Sequence, residues 1–440
     1  MGRKKSYFQC RNCGYIAQKW LGKCPGCGEW NSFDEVVEEE GRGKGGRGWL
    51  SPVKVAPIPL SEVKGEDVIR FSTGEPELDL VLGGGVVPGS LILIGGSPGI
   101  GKSTLMLQVA GKVGGRVLYI TGEESPSQVK LRADRLGIGT DQIFLYPEIE
   151  VGRIVEEIQR GEYQLVIVDS IQTLYWGELQ SSPGSVAQIR ESTFQLLRVA
   201  KEVGVPIFLI GHITKEGVIA GPRLLEHIVD TVLYFEGEGS RGLRILRSFK
   251  NRFGSTSEIG LFEIGERGLV SGKSRSFFSP EPQEGSGVGV IIEGNRPLVL
   301  EIQGLVTDSY GVPRRVSTGF DLGRLNLILA LLEKRLQLPF NRLDVFVNVS
   351  GGIKIHETGA DLPVIVALLS SFRNRKISKG TVFIGEVTLV GEIRGVSGIE
   401  QRLKEAKNLG FQRAVLPNPP KNPPLKCYRV TQVEQLLEWM

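Results

Sequence analysis

The sequence lacks any apolar run near the ~18 residues that a membrane-crossing helix needs, so a membrane partner is not expected. Its five cysteines are too few in 440 residues to staple a disulfide scaffold, which points away from oxidised, extracellular space. Basic residues stand near the start (Arg3, Lys4, Lys5), but no apolar stretch follows them, so no secretory signal is expected. Charge of one sign is also scarce: the net charge of +4 permits a nucleic-acid partner without demanding one. No internal repeat is visible. Together these absences predict a cytoplasmic protein.

Glycine is plentiful at 59, which suits turns and loops that approach ligands closely. The 40% hydrophobic and 23% charged residues are those of a globular protein, and the length calls for two or three domains. Cysteines crowd residues 1–34. Residues 35–60 hold an acidic run, a Gly- and Arg-rich stretch and three prolines, and read as a linker. From 61 to 275 short apolar runs recur at Leu91–Ile94, Val117–Ile120, Leu165–Val168 and Ile207–Ile210, with helical segments between them. That rhythm predicts an α/β domain with a mostly parallel sheet. A second linker at 276–285 precedes another α/β domain, 286–440. There Val288–Glu293 and Leu298–Gln303 read as a hairpin around Gly294-Asn295, Leu343–Val349 and Thr381–Ile384 as strands, and Leu362–Phe372 and Glu400–Leu409 as helices.

Cys10-x-x-Cys13 and Cys24-x-x-Cys27 form two knuckles, a spacing that places four thiolates around one tetrahedral Zn²⁺. So short a segment cannot bury a core, and the metal would supply the folding energy. A redox pair is the alternative. Cys427 reads as a buried bystander.

Gly96-Ser97-Pro98-Gly99-Ile100-Gly101-Lys102-Ser103 fits GxxxxGK[ST] in full, between the apolar strand Leu91–Ile94 and the helical run that starts at Thr104. Backbone N–H groups of such a loop cradle the phosphates of ATP or GTP, Lys102 reaches the β- and γ-phosphates, and Ser103 offers its hydroxyl to Mg²⁺. Asp169 ends the strand Leu165–Val168, where a carboxylate can hold Mg²⁺; otherwise it caps the next turn. Glu123 and Glu124 follow the strand Val117–Ile120, and Glu123 is the expected base for the attacking water. The stretch S-F-K-N-R-F-G at 248–254 sets Lys250 and Arg252 on one face of an extended chain, with Phe249 and Phe253 on the other. A solvated sheet edge is the plain explanation.

Phe71-Ser72-Thr73-Gly74, Glu77-Leu78-Asp79, Leu82-Gly83-Gly84-Gly85 and the phosphate loop resemble the RecA superfamily core. Tyr119-Ile120-Thr121-Gly122-Glu123-Glu124-Ser125 and K-N-R-F-G at 250–254, with the cysteine motif and a further domain, make the entire chain similar to the bacterial RadA (Sms) family. That resemblance implies a zinc motif, a RecA-like ATPase core and a C-terminal domain like that of the Lon peptidase. It implies a hexameric, DNA-dependent ATPase of homologous recombination that uses ATP and Mg²⁺, drives branch migration on single-stranded and branched DNA, and works with the RecA recombinase. Lys250 and Arg252 would then reach the ATP of a neighbouring subunit. His212 would sense the γ-phosphate. Loops near Tyr175–Ser185 and Thr214–Pro222 would face DNA, the first with Tyr175 and Trp176, the second with Lys215. A non-motor switch that assists recombinase loading, or an autokinase like KaiC, is the alternative.

Residues 286–440 resemble the Lon proteolytic domain through Gly359-Ala360-Asp361, Gly385-Glu386-Val387 and Gly391-Glu392-Ile393. The nucleophilic Ser position falls on Asp361 and the Lys position on Glu400, with Ser397 and Lys404 nearby. A domain without that pair is expected to be a scaffold, and the run Arg373, Arg375, Lys376 and Lys379 suits phosphate contacts.

Overall fold

A computed structural model describes residues 5–10, 16–17, 19–25, 30–38, 69–212, 224–237, 243–272 and 277–439. Cys13, Cys27, the run 41–48 and the loop Thr214–Pro222 with Lys215 lie outside the described residues. The chain divides into two units, one of residues 1–234 and 249–254, the other of residues 235–248 and 255–440.

The first unit begins with a small antiparallel sheet of β1 (Lys5–Cys10), β2 (Ile16–Ala17) and β3 (Phe33–Glu38) in the order β2-β1-β3. β3 runs into the acidic stretch read as linker. Its partner explains why: residues 33–38 pair antiparallel with β1 along its whole length.

Next come α1 (Pro76–Leu82), β4 (Leu91–Gly96), α2 (Lys102–Lys112), β5 (Val117–Thr121), α3 (Pro126–Leu136), β6 (Ile143–Tyr146), α4 (Val151–Arg160), β7 (Leu165–Asp169), α5 (Val186–Val203), β8 (Ile207–His212), α6 (Leu224–Ile228) and β9 (Thr231–Glu236). The strands lie in the order β9-β4-β8-β7-β5-β6. β4, β8, β7, β5 and β6 run parallel. β4, β5 and β7 are buried along their whole length, which is why they read as unbroken apolar runs. The helices start where local chemistry dictates. α3 has Pro126 in its first turn and a reciprocal capping pair between Ser125 and Gln128, and it stops at left-handed Gly137. Register fixes the working edge. Gly96 lies opposite His212, and Thr121 opposite Asp169, so the carboxyl ends of four strands meet at one place.

The second unit carries an antiparallel ladder of β10 (Leu243–Asn251, its last residues in the first unit), β11 (Ile259–Gly265) and β12 (Gly268–Ser271). Its main sheet contains β13 (Ser286–Glu293), β14 (Arg296–Asp308), β15 (Arg315–Thr318), β16 (Leu343–Val349), β17 (Thr381–Phe383), β20 (Arg413–Leu416) and β21 (Lys426–Arg429), ordered β15-β16-β14-β13-β17-β20-β21. α7 (Leu322–Leu336), α8 (Asp361–Arg373) and α9 (Ile399–Asn408) accompany it, with the short pair β18 (Glu386–Val387) and β19 (Ile393–Arg394). The hairpin at Gly294-Asn295 is present, with Glu293 opposite Arg296. α8 is buried from Asp361 to Ser370, as its all-round apolar sequence requires. It lies so close to β13 that a Cβ on Gly287 would come within 2.3 Å of the Pro363 carbonyl oxygen.

Candidate active site

Between β4 and α2 the chain turns through left-handed backbone at Gly99 (φ 75°) and Gly101 (φ 117°), conformations open to glycine at little cost. The space a Cβ would take at Gly99 is empty to 4 Å, which leaves the loop's amides approachable by a phosphate. Lys102, 3% exposed, opens α2 and folds back over the loop. Its ammonium donates to the carbonyl oxygens of Gly96 (2.7 Å) and Ser97 (3.0 Å). Burial holds its pKa down to about 8, against the pull of Asp169 and Glu123. A phosphate at the loop would replace those carbonyls with a formal negative charge. The cradle therefore fits a nucleotide triphosphate.

Asp169 closes β7 and is 8% exposed. The phenol of fully buried Tyr119, one strand away, donates to its Oδ2 at 2.7 Å. The Tyr119 hydroxyl is pushed well above its usual range, mainly by burial and then by the Asp169 carboxylate it faces. That bond fixes the carboxylate and leaves Oδ1 as an oxygen ligand. With the half-buried Ser103 hydroxyl, the donor set is all oxygen, as Mg²⁺ prefers.

The two glutamates after β5 part ways. Glu124 pairs with Arg132 on α3. Glu123 accepts a hydrogen bond from the Ser170 hydroxyl and has His212 Nε2 3.3 Å from the same oxygen, Oε1. His212 Nδ1 is 3.4 Å from the Lys102 ammonium. An ammonium cannot accept, so the ring proton belongs on Nε2, facing Glu123. Lys102, Glu123, Asp169 and His212 thus share one edge of the sheet. Reading by motif does not single out Ser170, which directly follows Asp169, the signal available; Tyr119 opens the quoted run Tyr119–Ser125 but is given no role there.

Lys250 and Arg252 sit elsewhere. The Lys250 ammonium donates to the carbonyl oxygens of Glu226 (2.7 Å), His227 (3.3 Å) and Val229 (2.7 Å) at the end of α6, and burial lowers its pKa. Arg252, just past β10, pairs with Asp230 at 3.2 Å. Asp230 in turn accepts from the Leu91 amide at 3.0 Å, at the start of β4. Phe249 does not anchor this segment: it is 60% exposed and only meets the edge of Tyr234. Phe253 does pack inward, with the Lys201 ammonium 5.6 Å from its ring.

The loop before α5 is tied down by Gln188, 1% exposed. Its amide accepts from the Trp176 N–H at 2.7 Å and donates to the carbonyls of Trp176, Leu179 and Ser181. Trp176 leans on the apolar core, so it is half-buried packing and not a free stacking platform. Gly177–Gln180 and Ser182–Gly184 are exposed.

In the second unit Asp361 is 0% exposed at the start of α8. Its carboxylate is bound by the Arg324 guanidinium and by the Val387 amide at 2.9 Å. Burial raises its pKa against those donors. Glu400, Ser397 and Lys404 are exposed. Glu357 is the carboxylate that meets α9, held in two bonds by fully buried Arg402. Lys379 of the basic run pairs with Glu281.

Near the start of the chain Cys10 and Cys24 are 2% and 1% exposed and share one small cluster with Phe33. Two buried thiols in so slight a core fit a soft metal ion. Cys427 is half-buried on β21, and burial raises its pKa.

Comparison with known proteins agrees with this geometry. Residues 8–35 match the rubredoxin metal binding domain, 57–218 an AAA domain, and 327–419 subunit ChlI of Mg-chelatase. The described chain is α/β, with a zinc ribbon-like start, a RecA-like ATPase core and a Lon-like C-terminal part. A crystal structure of the RadB recombinase is 27% identical, with a TM-score of 0.38, and spans 46% of this chain and 99% of that one. The DNA repair protein RadA of Bacillus subtilis is 48% identical over 95% of this chain and 93% of its own. That of Campylobacter jejuni is 50% identical, and that of Helicobacter pylori strain J99 is 52% identical, each over the full length of both chains. Half the residues shared from end to end decide the matter: the chain belongs to the family of the DNA repair protein RadA.

Proposed function

We propose that this ATP-hydrolysing enzyme is a DNA-dependent motor of homologous recombination and repair. It works as a ring, six copies in the family reading, and moves branch points on single-stranded and branched DNA beside the RecA recombinase. The division of labour follows the sequence: a zinc motif in 1–34 held by Cys10, Cys13, Cys24 and Cys27, an ATPase in 61–275, and a scaffold and DNA surface in 286–440.

One observation carries the ring reading. Arg252 of K-N-R-F-G is tied to the start of β4 through Asp230, and Lys250 is held by carbonyls of residues 226–229 just before Asp230, whereas the phosphate loop leaves the end of β4. Six residues of strand separate the two by about 17 Å, too far for Lys250 or Arg252 to reach ATP bound by its own chain. A second copy, stacked with its β4 start against the first copy's loop, brings them within reach. In that arrangement Gly96–Thr104 bind ATP, and Glu123 orients and deprotonates the attacking water. Lys250 and Arg252 meet charge developing on the γ-phosphoryl oxygens from the neighbour's side. Ser103 and Asp169 would hold Mg²⁺, which would supply positive charge beside the phosphates. His212 holds Glu123 from the end of β8 and is suited to sense the γ-phosphate.

The test is ATP-driven movement of a synthetic recombination junction by the purified full-length chain, with Lys102→Ala as control. Movement that needs ATP and intact Lys102 supports the motor. DNA-stimulated hydrolysis without movement overturns it in favour of a switch that assists recombinase loading.

A further inference from the structure

We infer that Ser170 is a positioning residue that parks the Glu123 carboxylate and couples it to the loop Ile171–Ser185. The inference rests on the reading of Glu123 as base and of that loop as facing DNA.

Ser170 is fully buried, while the Glu123 side chain is 41% exposed, so the hydroxyl is the fixed partner and the carboxylate the movable one. The hydroxyl donates to Glu123 Oε1, the oxygen that His212 Nε2 also faces. With Ser170 and His212 both on Oε1, that oxygen is not free to take the proton of an attacking water. The Lys102 ammonium is meanwhile bonded to the carbonyls of Gly96 and Ser97. Base and phosphate-binding cation are thus both engaged inward.

Ser170 is also the first residue of the connection to the loop. Its carbonyl accepts from the Thr173 hydroxyl at 2.8 Å and the Thr173 amide at 3.3 Å, which makes residues 170–173 one stiff turn. Thr173 packs against the residue before the base: a Cβ on Gly122 would lie 2.1 Å from its hydroxyl oxygen, so glycine is required there. The turn therefore meets Glu123 through Ser170 and the preceding glycine through Thr173. Three residues on, Trp176 enters the segment tied by Gln188, whose exposed part includes 177–180 and 182–184. A polyanion that shifts that segment pulls on the turn, withdraws the Ser170 hydroxyl and frees Glu123 for water.

The experiment compares the ATPase of the full chain with and without single-stranded DNA, for the unaltered protein, Ser170→Ala and Ser170→Cys. Loss of one hydrogen bond to a charged group is worth about tenfold in rate. The basal kcat of Ser170→Ala is expected to rise about tenfold toward the stimulated value, with KM for ATP unchanged. The ratio of stimulated to basal kcat should fall toward one. Ser170→Cys, nearly the same size with a weak donor, should lie between and guards against misfolding of the first variant. A parallel fall of both rates with the ratio intact in both variants overturns the inference, because a merely structural serine behaves so. Glu123→Gln checks the underlying reading separately. If it retains hydrolysis, or if DNA fails to stimulate the unaltered protein, the base or loop assignment fails and the inference with it.

Discussion

Arg252 pairs with Asp230 at 3.2 Å, and Asp230 is itself bound to the first residue of β4. Asp230 is 2% exposed and also takes the Lys201 ammonium at 2.8 Å, so one buried carboxylate holds two half-exposed cations. Arg252 is thereby aimed from the end of the sheet that lies away from its own phosphate loop. A cation so placed serves another chain's nucleotide or none.

Lys102 gives a signed pH prediction. Its ordinary pKa of 10.5 falls to about 8 because burial penalises the ammonium. Below about pH 8 the group is charged both folded and unfolded, and the penalty on stability is fully present. Between pH 8 and 10.5 it fades as the folded amine neutralises. Lys102→Met should therefore stabilise the nucleotide-free chain at pH 7, by up to about 3 kcal/mol at ~1.4 kcal/mol per pKa unit, and by less at pH 9.5. Denaturant unfolding at the two pH values measures it. The same variant should lose the rise in Tm that Mg·ATP gives the unaltered chain.

Peptidase chemistry is not expected to return when its nucleophile is restored. Asp361 is buried, and its carboxylate is engaged by Arg324 and by the Val387 amide. Asp361→Ser removes the carboxylate that pairs with Arg324 and leaves that buried charge with the Val387 carbonyl alone, at a cost of about 3–5 kcal/mol in unfolding free energy. Incubation with unfolded protein, ATP and Mg²⁺ should leave the substrate intact. Cleavage by Asp361→Ser would show that a general base stands nearby after all.

Zinc should copurify at about one ion per chain, by elemental analysis. A Cys24→Ala, Cys27→Ala double variant should lose it. Stoichiometric zinc in that variant would contradict the four-cysteine site.

The parts of the fold that were legible in the sequence are those encoded locally. The phosphate loop carries its own strand, turn and helix start, and buried parallel strands announce themselves as apolar runs. The strand Leu343–Val349 and the turn at Gly294-Asn295 follow from β-branched alternation and a glycine at φ 61°. The antiparallel ladder of β10 to β12 was missed within a region read by its parallel rhythm. The strand Phe33–Glu38 was hidden by its acidic side chains, because its stability comes from pairing with β1. The site divided in the same way. Lys102, Glu123 and Asp169 follow strand ends and could be named from spacing. Ser170, 47 positions from Glu123, and Arg324, 37 from Asp361, act through contacts that only the fold creates. Alternation places Phe249 on a face but does not say what lies against it, and its ring is left 60% exposed.

The most direct test of the account asks whether one chain's cations serve another chain's ATP. Arg252→Ala subunits are mixed with Lys102→Ala subunits, and the DNA-stimulated ATPase of the mixture is measured. Each variant alone should be nearly inactive: a cation supplied as Arg252 would be is worth ~10³–10⁵ in rate, and Lys102→Ala lacks the loop's phosphate-binding cation. Mixed rings contain some interfaces where an intact phosphate loop faces an intact Lys250 and Arg252, so part of the activity should return. No recovery despite demonstrated mixing, or full activity of Arg252→Ala alone, would contradict action across the interface.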